Sequence, residues 1–535
     1  MSASLTQARI LVIDDFQGMR TMLRDFLRAM GVTKVDTASN GREAISQLRN
    51  ARYDIVICDF NLGLGQNGQQ VLDEARMHDL VGVSTIWVMV TAEKTTDMVM
   101  GTAEVKPDDY LLKPINQGLL ESRLEKLIQR KQTLRGIEEA IKAKDFMAAI
   151  AQCDQQLKAP GTANPQEILR IKSDLLLTVG DYGAAKAVFE SVLAARSVPW
   201  ARTGLGKIAF HVGRYAEARD IFQQVLADNR MFMEASDWLV KTLDALGAAE
   251  QAQQVLLEAV KLSPNSATRQ RALGDTALRN GALDVAQAAF EKTIKISEFS
   301  PHKSASAFTG LAKVLTSQGT PEEALKVLAK GRTAFRDSPE AAIQTAAAEG
   351  VIYQQMGDTD KVKAALGQVE QMMSTLPGKV GPEAALDLAQ SLLAMGQKDQ
   401  ACELMRDLVK NNHENVALSR QVEAVFDNAQ LGEIGRSLIQ QSQQEVVAIN
   451  NQGVLLAKQG QYLEGAKLLR TAVENLPNSE VVIMNLCGLL IGLMHQEGRS
   501  EDLTREVRDL LDRVAHINPA NKKYHLYLDA INRGQ

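Results

Sequence analysis

The sequence predicts two folds in tandem: an α/β doubly wound domain over residues 1–130 and an all-α solenoid over residues 131–535. Three observations predict them. Short apolar runs alternate with amphipathic helical stretches five times before residue 130, the pattern of a parallel sheet covered by helices. Beyond that point no strand pattern occurs, and turn glycines recur at a nearly fixed spacing, as in stacked helical hairpins. A chain of 535 residues is also too long for a single hydrophobic core.

The elements of the first part follow in order. Residues 9–13 (Arg-Ile-Leu-Val-Ile) form an apolar strand that ends in Asp14 and Asp15. A helix follows with Met19, Met22, Leu23, Phe26, Leu27 and Met30 on one face, and Gly31 stops it. Residues 32–38 read as a second strand, Asn40-Gly41 as a turn and 43–50 as a helix. Residues 54–58 (Asp-Ile-Val-Ile-Cys) lead into Asp59, a buried strand that delivers one acid to its C-terminal edge. Residues 71–80 read as a helix, 84–90 as a strand ending in Thr91, and 97–104 as a weaker helix. A fifth strand, 110–112, ends in Lys113-Pro114, and a long helix opens at Leu119. From Leu119 to Ala143 only Gly136 interrupts the helix formers, so this helix is expected to continue into the solenoid as a semi-rigid link.

Composition narrows the function classes. Hydrophobic residues make up 45% and charged residues 23%, an ordinary soluble balance. A formal net charge of −5 argues against a nucleic-acid binder, which needs a concentrated basic face. Neither a helix-turn-helix signal nor such a face is present. Cys58, Cys153, Cys402 and Cys487 are scattered with no CxxC pair, as expected of free thiols in a reducing compartment. The first apolar run is too short for a signal peptide, and no stretch approaches the ~20 apolar residues of a membrane span. A cytoplasmic protein without membrane insertion is expected.

Asp14, Asp15, Asp59, Thr91 and Lys113 all fall at strand C-terminal ends. In a parallel sheet these ends share one edge, so the residues meet in one cleft. Three carboxylates together require a cation, and a hard, oxygen-seeking Mg²⁺ fits. A cation, a lysine and a hydroxyl around one carboxylate suit in-line phosphoryl transfer to an aspartate. Taken singly, Asp14 and Asp15 would read as a helix-capping pair, Lys113 as a surface lysine, Tyr110 as a half-buried aromatic and Asp59 as a loop acid.

The set resembles the receiver domain of two-component response regulators, over roughly residues 8–130. Asp14-Asp15 matches the acidic pair, Asp59 the phosphoacceptor, Thr91-Ala92 the switch hydroxyl and its small neighbour, and residues 109–114 (Asp-Tyr-Leu-Leu-Lys-Pro) the closing motif with its switch aromatic, Tyr110. The resemblance implies a flavodoxin-like fold and Mg²⁺ held by Asp14, Asp15, Asp59 and the backbone carbonyl of Asn61. It also implies self-phosphorylation from small phosphodonors and self-dephosphorylation tuned by Asn61 and Glu93. Gly63 departs from the family's usual proline, and the Gly-rich loop 63–68 carries an extra residue.

The second part is organised by Gly180, Gly213, Gly247, Gly281, Gly319, Gly357, Gly396, Gly460 and Gly498, roughly 34 to 39 residues apart. The longer gap after Gly396 has room for one degenerate unit. Gly180-Asp181-Tyr182 is followed by Ala185 and Phe189, Gly213-Arg214-Tyr215 by Ala218 and Phe222, Gly281-Ala282-Leu283 by Ala286 and Phe290, and Gly460-Gln461-Tyr462 by Ala472 and Pro477. The glycine permits the interhelix turn, the alanine lets two helices approach, and the aromatic fills the groove between hairpins. Leu205-Gly206 and Leu273-Gly274 mark the close approach on the first helix of each pair.

This pattern resembles the tetratricopeptide repeat (TPR), best in Leu205, Gly206, Gly213, Tyr215, Ala218 and Phe222. The first hairpin is weaker, turning at Lys144-Asp145-Phe146. Roughly nine to eleven hairpins forming a superhelix with a concave face are expected, or else a solenoid of another repeat type. Residues 522–535 read as a capping helix and its end. Met231-Phe232-Met233 reads as core or groove lining. His211, His302, His413, His495, His516 and His525 lack metal spacing and read as surface or packing residues.

The expected function is a response regulator of a two-component phosphorelay, in which phosphorylation of Asp59 controls protein binding by the TPR domain. Implied partners are a sensor histidine kinase or phosphotransfer protein, an unidentified protein or peptide for the TPR groove, and a second copy of the chain. No enzymatic activity beyond receiver chemistry is expected. Two alternatives stand beside it: a phosphorylation-independent scaffold with a docking receiver, and a phosphatase or regulator of another receiver.

Overall fold

The computed structural model describes residues 3–92, 107–162, 164–300, 302–375, 380–413, 415–517 and 521–532. The expected helix at 97–104 and Glu93 lie outside them, as do the side chains of His516 and His525. The chain packs as two units. One runs to Leu177 and resumes over Asp181–Ser304; the other comprises Thr178–Gly180 and Ala305–Gln535.

In the first unit, five parallel strands form one sheet in the order β2-β1-β3-β4-β5. They are β1 (Arg9–Ile13), β2 (Lys34–Ala38), β3 (Ile55–Asp59), β4 (Ile86–Thr91) and β5 (Asp109–Leu112). β3 and β4 are buried along their whole length, which is why they read as unbroken apolar runs. Helices Gln17–Ala29 and Gln117–Gln132 lie over one face, where Leu23, Leu27, Leu120 and Leu124 meet Ile10, Val12, Ile55, Ile57 and Val88. Helices Gly41–Asn50 and Gly68–Met77 lie over the other, where Ala44, Leu48, Val71 and Leu72 meet Leu11, Val56, Trp87 and Met89. The third helix starts at Gly68 rather than Val71, because Asn67 and Gln70 form a reciprocal capping box at its N-terminus.

The expected continuous link is broken. Helix Gln117–Gln132 ends, and a new helix runs over Arg135–Lys142. The Thr133 hydroxyl donates to the Arg130 carbonyl at 3.2 Å, and the Leu134 amide donates to the Lys131 carbonyl at 3.0 Å. Both bonds tighten the chain at the break and turn buried Leu134 inward.

Polar ties replace the missing helical continuity. Buried Lys131 reaches Asp108 at 2.8 Å and the Val83 carbonyl at 2.7 Å. Arg130 pairs with Glu167, on helix Pro165–Thr178, at 2.7 Å. Arg135 pairs with Asp54 at 2.7 Å, and Glu138 accepts from the Ser84 amide at 2.5 Å. Asp54, Val83, Ser84 and Asp108 all lie at the N-terminal ends of strands, opposite the edge that carries the acids.

Antiparallel helix pairs follow, among them Pro199–His211 with Tyr215–Asp228, Met233–Ala245 with Ala249–Leu262, and Ala267–Arg279 with Leu283–Ile296. The nine turn glycines all have positive φ, from 70° at Gly180 to 99° at Gly498, a region that penalises a Cβ. The small-on-aromatic packing is direct. A Cβ added at Gly206 would lie 2.5 Å from the Phe222 ring, and one at Gly274 would lie 2.7 Å from Phe290. Ala218, Phe222, Ala286 and Phe290 are fully buried. Met231 is exposed, so the Met-Phe-Met stretch is not core throughout.

In the second unit, Gln430 makes a left-handed turn at φ 58° within the long glycine gap, between helices Val416–Asn428 and Gly432–Lys458. Gln430 thus stands where the missing turn glycine would fall, and the 27-residue helix after it runs unbroken to the turn at Gly460. The last described helix, Lys522–Asn532, buries Tyr524 and Ile531. Among the described residues, no helix is long and apolar enough to cross a membrane.

Candidate functional site: an acidic pocket at the strand edge

The pocket is assembled by strand register. Ile13 stands opposite Cys58, and Asp59 opposite Val90. Asp14 and Thr91 therefore follow the same edge that β3 presents with Asp59. The Asp14 amide is held by the Ala38 carbonyl at 3.2 Å, and the Lys113 amide by the Thr91 carbonyl at 2.9 Å. Lys113 is joined to Pro114 by a cis peptide bond.

Asp14 and Asp59 are buried, whereas Asp15 is exposed. Among the described residues these three acids form a group whose ligand oxygens all lie within 4.8 Å of one another. The Lys113 ammonium bridges two of them, 2.8 Å from Asp59 Oδ2 and 3.1 Å from Asp14 Oδ2. Neither acid of the pair is spent on capping. The N-cap of helix Gln17–Ala29 is Phe16, and Asp14 Oδ1 instead accepts from the Phe16 amide at 2.8 Å.

Burial raises the Asp59 pKa above the ordinary carboxylate range; the bonded Lys113 opposes that rise and the charge of Asp14 adds to it. For Lys113 burial acts downward, but its hydrogen bonds to Asp59 and Asp14 prevail and hold its pKa above the usual value. Burial pushes the Cys58 thiol well up, so it packs as an inert group behind Asp59. All-carboxylate oxygen donors around a mouth left open on the Asp15 side suit a hard divalent cation, so these residues fit Mg²⁺.

Thr91 is buried at the end of β4. Tyr110 stands opposite Met89 on β5, with its ring half-buried against the cluster around Trp87. Burial, reinforced by the charge of Asp73, raises its phenol pKa. The Asn61 side chain accepts from the Gly63 amide at 3.3 Å.

Three features were not legible in the sequence. Arg20 donates to the main-chain carbonyls of Asp14 at 2.6 Å and Asp15 at 2.9 Å, fixing the acidic pair from the following helix. Gly68 closes the Gly-rich loop where a Cβ would lie 2.2 Å from the Asp59 carbonyl oxygen. Phe16 and Leu64 remain exposed in the two loops beside the pocket. Only the spacing of Gly68 after Asp59 could have signalled such a contact.

Comparison with known proteins agrees with this architecture. Residues 10–125 match the response regulator receiver domain model. Residues 172–233, 239–301, 272–339 and 383–412 match tetratricopeptide repeat models. The chain is 30% identical over 122 residues to the chemotaxis protein CheY of Pseudomonas aeruginosa, covering 23% of this chain and 97% of that protein. It is 28% identical over 122 residues to CheY-3 of Vibrio cholerae, covering 23% of this chain and 92% of that protein. The solved structure of Vibrio cholerae CheY4 is 30% identical, with a TM-score of 0.21, and the match covers 23% of this chain and 99% of that one. The chain belongs to the response regulator receiver family and carries tetratricopeptide repeats after its receiver domain.

Proposed function

We propose that Asp59 is the phosphoacceptor of a two-component phosphorelay and that its phosphorylation controls protein binding by the repeats. The observation that carries this reading is the buried Asp59 carboxylate bridged through Lys113 to Asp14, with Asp15 completing the acidic group. Asp14, Asp15, Asp59 and the main-chain carbonyl of Asn61 would hold Mg²⁺, which when bound neutralises the carboxylates and binds a phosphoryl oxygen. An Asp59 oxygen attacks phosphorus and displaces the histidine nitrogen of a kinase or phosphotransfer protein. Lys113 exchanges its bond to Asp59 Oδ2 for one to a phosphoryl oxygen, and the Thr91 hydroxyl takes another. Movement of Thr91 lets Tyr110 re-pack, which biases the receiver surface between two states.

A contact supports a route to the repeats. Gly68 packs on the Asp59 carbonyl and begins the helix capped by Asn67 and Gln70. The Gln70 side-chain Nε2 donates at 3.3 Å to the main-chain carbonyl of Ile296, at the end of repeat helix Leu283–Ile296. Phosphorylation that shifts the Asp59 backbone would therefore bear on that helix end.

Intact mass after treatment with acetyl phosphate and Mg²⁺ tests the reading. Wild type is expected to gain one phosphoryl group and Asp59→Asn none. Lys113→Ala is expected to gain it much more slowly. A wild type that gains no mass sinks the proposal.

A further inference from the structure

A second cluster lies away from the acidic pocket, on helices Pro199–His211 and Met233–Ala245. Trp238 is half-buried, and the rings of Phe210, His211 and Trp238 are in mutual contact. Phe210 meets Trp238 edge-on with ring centroids 5.3 Å apart, and His211 meets it at 5.6 Å. Tyr182 stacks on His211 at 5.7 Å. Two ammonium groups lie over the Trp238 ring, Lys241 at 4.6 Å and Lys207 at 5.6 Å from its centroid.

The two lysines differ in one respect. Lys207 is neutralised by Glu234 at 2.5 Å, and Arg170 shares that carboxylate at 3.4 Å. Lys241 is exposed, and among the described residues no carboxylate pairs with it. Two other cation–ring pairs among the described residues each have their anion: Arg9 over Tyr53 is bonded to Asp36 at 2.8 Å, and Lys361 over Tyr353 to Asp358 at 2.8 Å. Burial of the His211 ring lowers its pKa, and the charges of Lys207 and Lys241 lower it further. Asp174 lies near Lys207, Arg170 and Glu234, and Asp237 is occupied by Arg269 at 2.7 Å. The spare positive charge is thus at Lys241, beside the exposed part of an indole.

We infer that Lys241 and Trp238 form a docking subsite for an acidic peptide segment, with a partner carboxylate on Lys241 and an adjoining aromatic or aliphatic side chain on the Trp238–Phe210–His211 surface. The charge asks for an anion and the rings ask for an apolar neighbour, a pairing that a peptide supplies in adjacent residues. This rests on the reading of the repeats as a protein-binding module and not on the chemistry of Asp59.

The test uses the full chain and a fluorescein-labelled peptide, Asp-Glu-Phe-Glu-Asp, read by anisotropy at low and high salt. Wild type is expected to bind, with affinity falling as salt rises. Lys241→Glu is expected to weaken binding about tenfold or more, the size of one charge-assisted contact. Trp238→Leu should weaken binding too, and Lys361→Glu, at the already neutralised pair, should leave it within about twofold. Equal binding by wild type and Lys241→Glu, equal binding of the amide peptide Asn-Gln-Phe-Gln-Asn, or no binding by wild type would each overturn the assignment. A single-stranded oligonucleotide that binds with the same dependence on Lys241 while the peptide does not would also overturn it. Acetyl phosphate labelling of each protein is measured in parallel. Loss of peptide binding with labelling intact locates the defect in the subsite, and loss of labelling alone reports on Asp59.

Discussion

Lys113 is the residue on which the acidic pocket's electrostatics turn. Its ammonium touches both buried acids, so removing it leaves Asp14 and Asp59 facing each other without that counter-charge. The residues that line this pocket were legible because each follows an apolar strand run, and the strand edge gathers them whatever their separation. Arg20 was not, because it acts on main-chain carbonyls, and no side-chain pattern announces that. In the repeats the informative residues are the small ones. Gly206→Ala is expected to cost about 1–3 kcal/mol, because its Cβ would overlap the Phe222 ring. Thermal unfolding checks this, and Phe222→Leu in the same chain should recover part of the loss by making room. Gln430→Gly should stabilise by about 1 kcal/mol, since Gln430 holds a left-handed turn where the other repeats use glycine.

Side-chain ties between elements join the receiver to the helices that follow it. The turn glycines revealed the hairpins, but the break at Thr133–Leu134 was hidden by residues that all favour helix. Tertiary ties decide it: Glu138 reaches Ser84, and Lys131 reaches Asp108 and Val83. Burial would raise the Glu138 pKa, but the hydrogen bonds from Lys142 and Ser84 prevail and hold it below the ordinary 4.5. Burial acts the same way on Glu167, where Arg130 and Lys131 prevail. Both folded-state values lie below the unfolded ones, so the stabilisation is complete above about pH 4.5 and is lost as pH falls through the folded values. Unfolding midpoints measured between pH 6 and pH 3 should therefore fall less steeply in Glu138→Gln than in wild type. A second test separates capping from coupling. Gln70→Glu keeps an acceptor for the Asn67 amide but removes the donor to Ile296. Phosphoryl uptake should persist in this variant, while exchange protection of helix Leu283–Ile296 should no longer respond to phosphorylation.

For the whole molecule, sequence periodicity separates receiver from repeats near residue 130, whereas packing joins the receiver and the hairpins up to Ser304 in one unit. Periodicity reports which segments share a local fold. It does not report side-chain ties such as Arg130–Glu167 and Gln70–Ile296, which join one fold to another. These ties hold the first unit together at two places, the joint after the receiver and the end of helix Leu283–Ile296. Under the proposed function, a change at Asp59 is expected to reach the repeats through these ties rather than through a flexible tether.

Hydrogen–deuterium exchange read by mass spectrometry, with and without acetyl phosphate and Mg²⁺, tests that claim most directly when wild type is compared with Asp59→Asn. Phosphorylation is expected to change exchange in the receiver and also at residues 283–296 and around the joint at 133–138, in wild type alone. A phosphorylated wild type whose exchange changes only within the receiver would show no coupling and leave the repeats as a scaffold indifferent to Asp59.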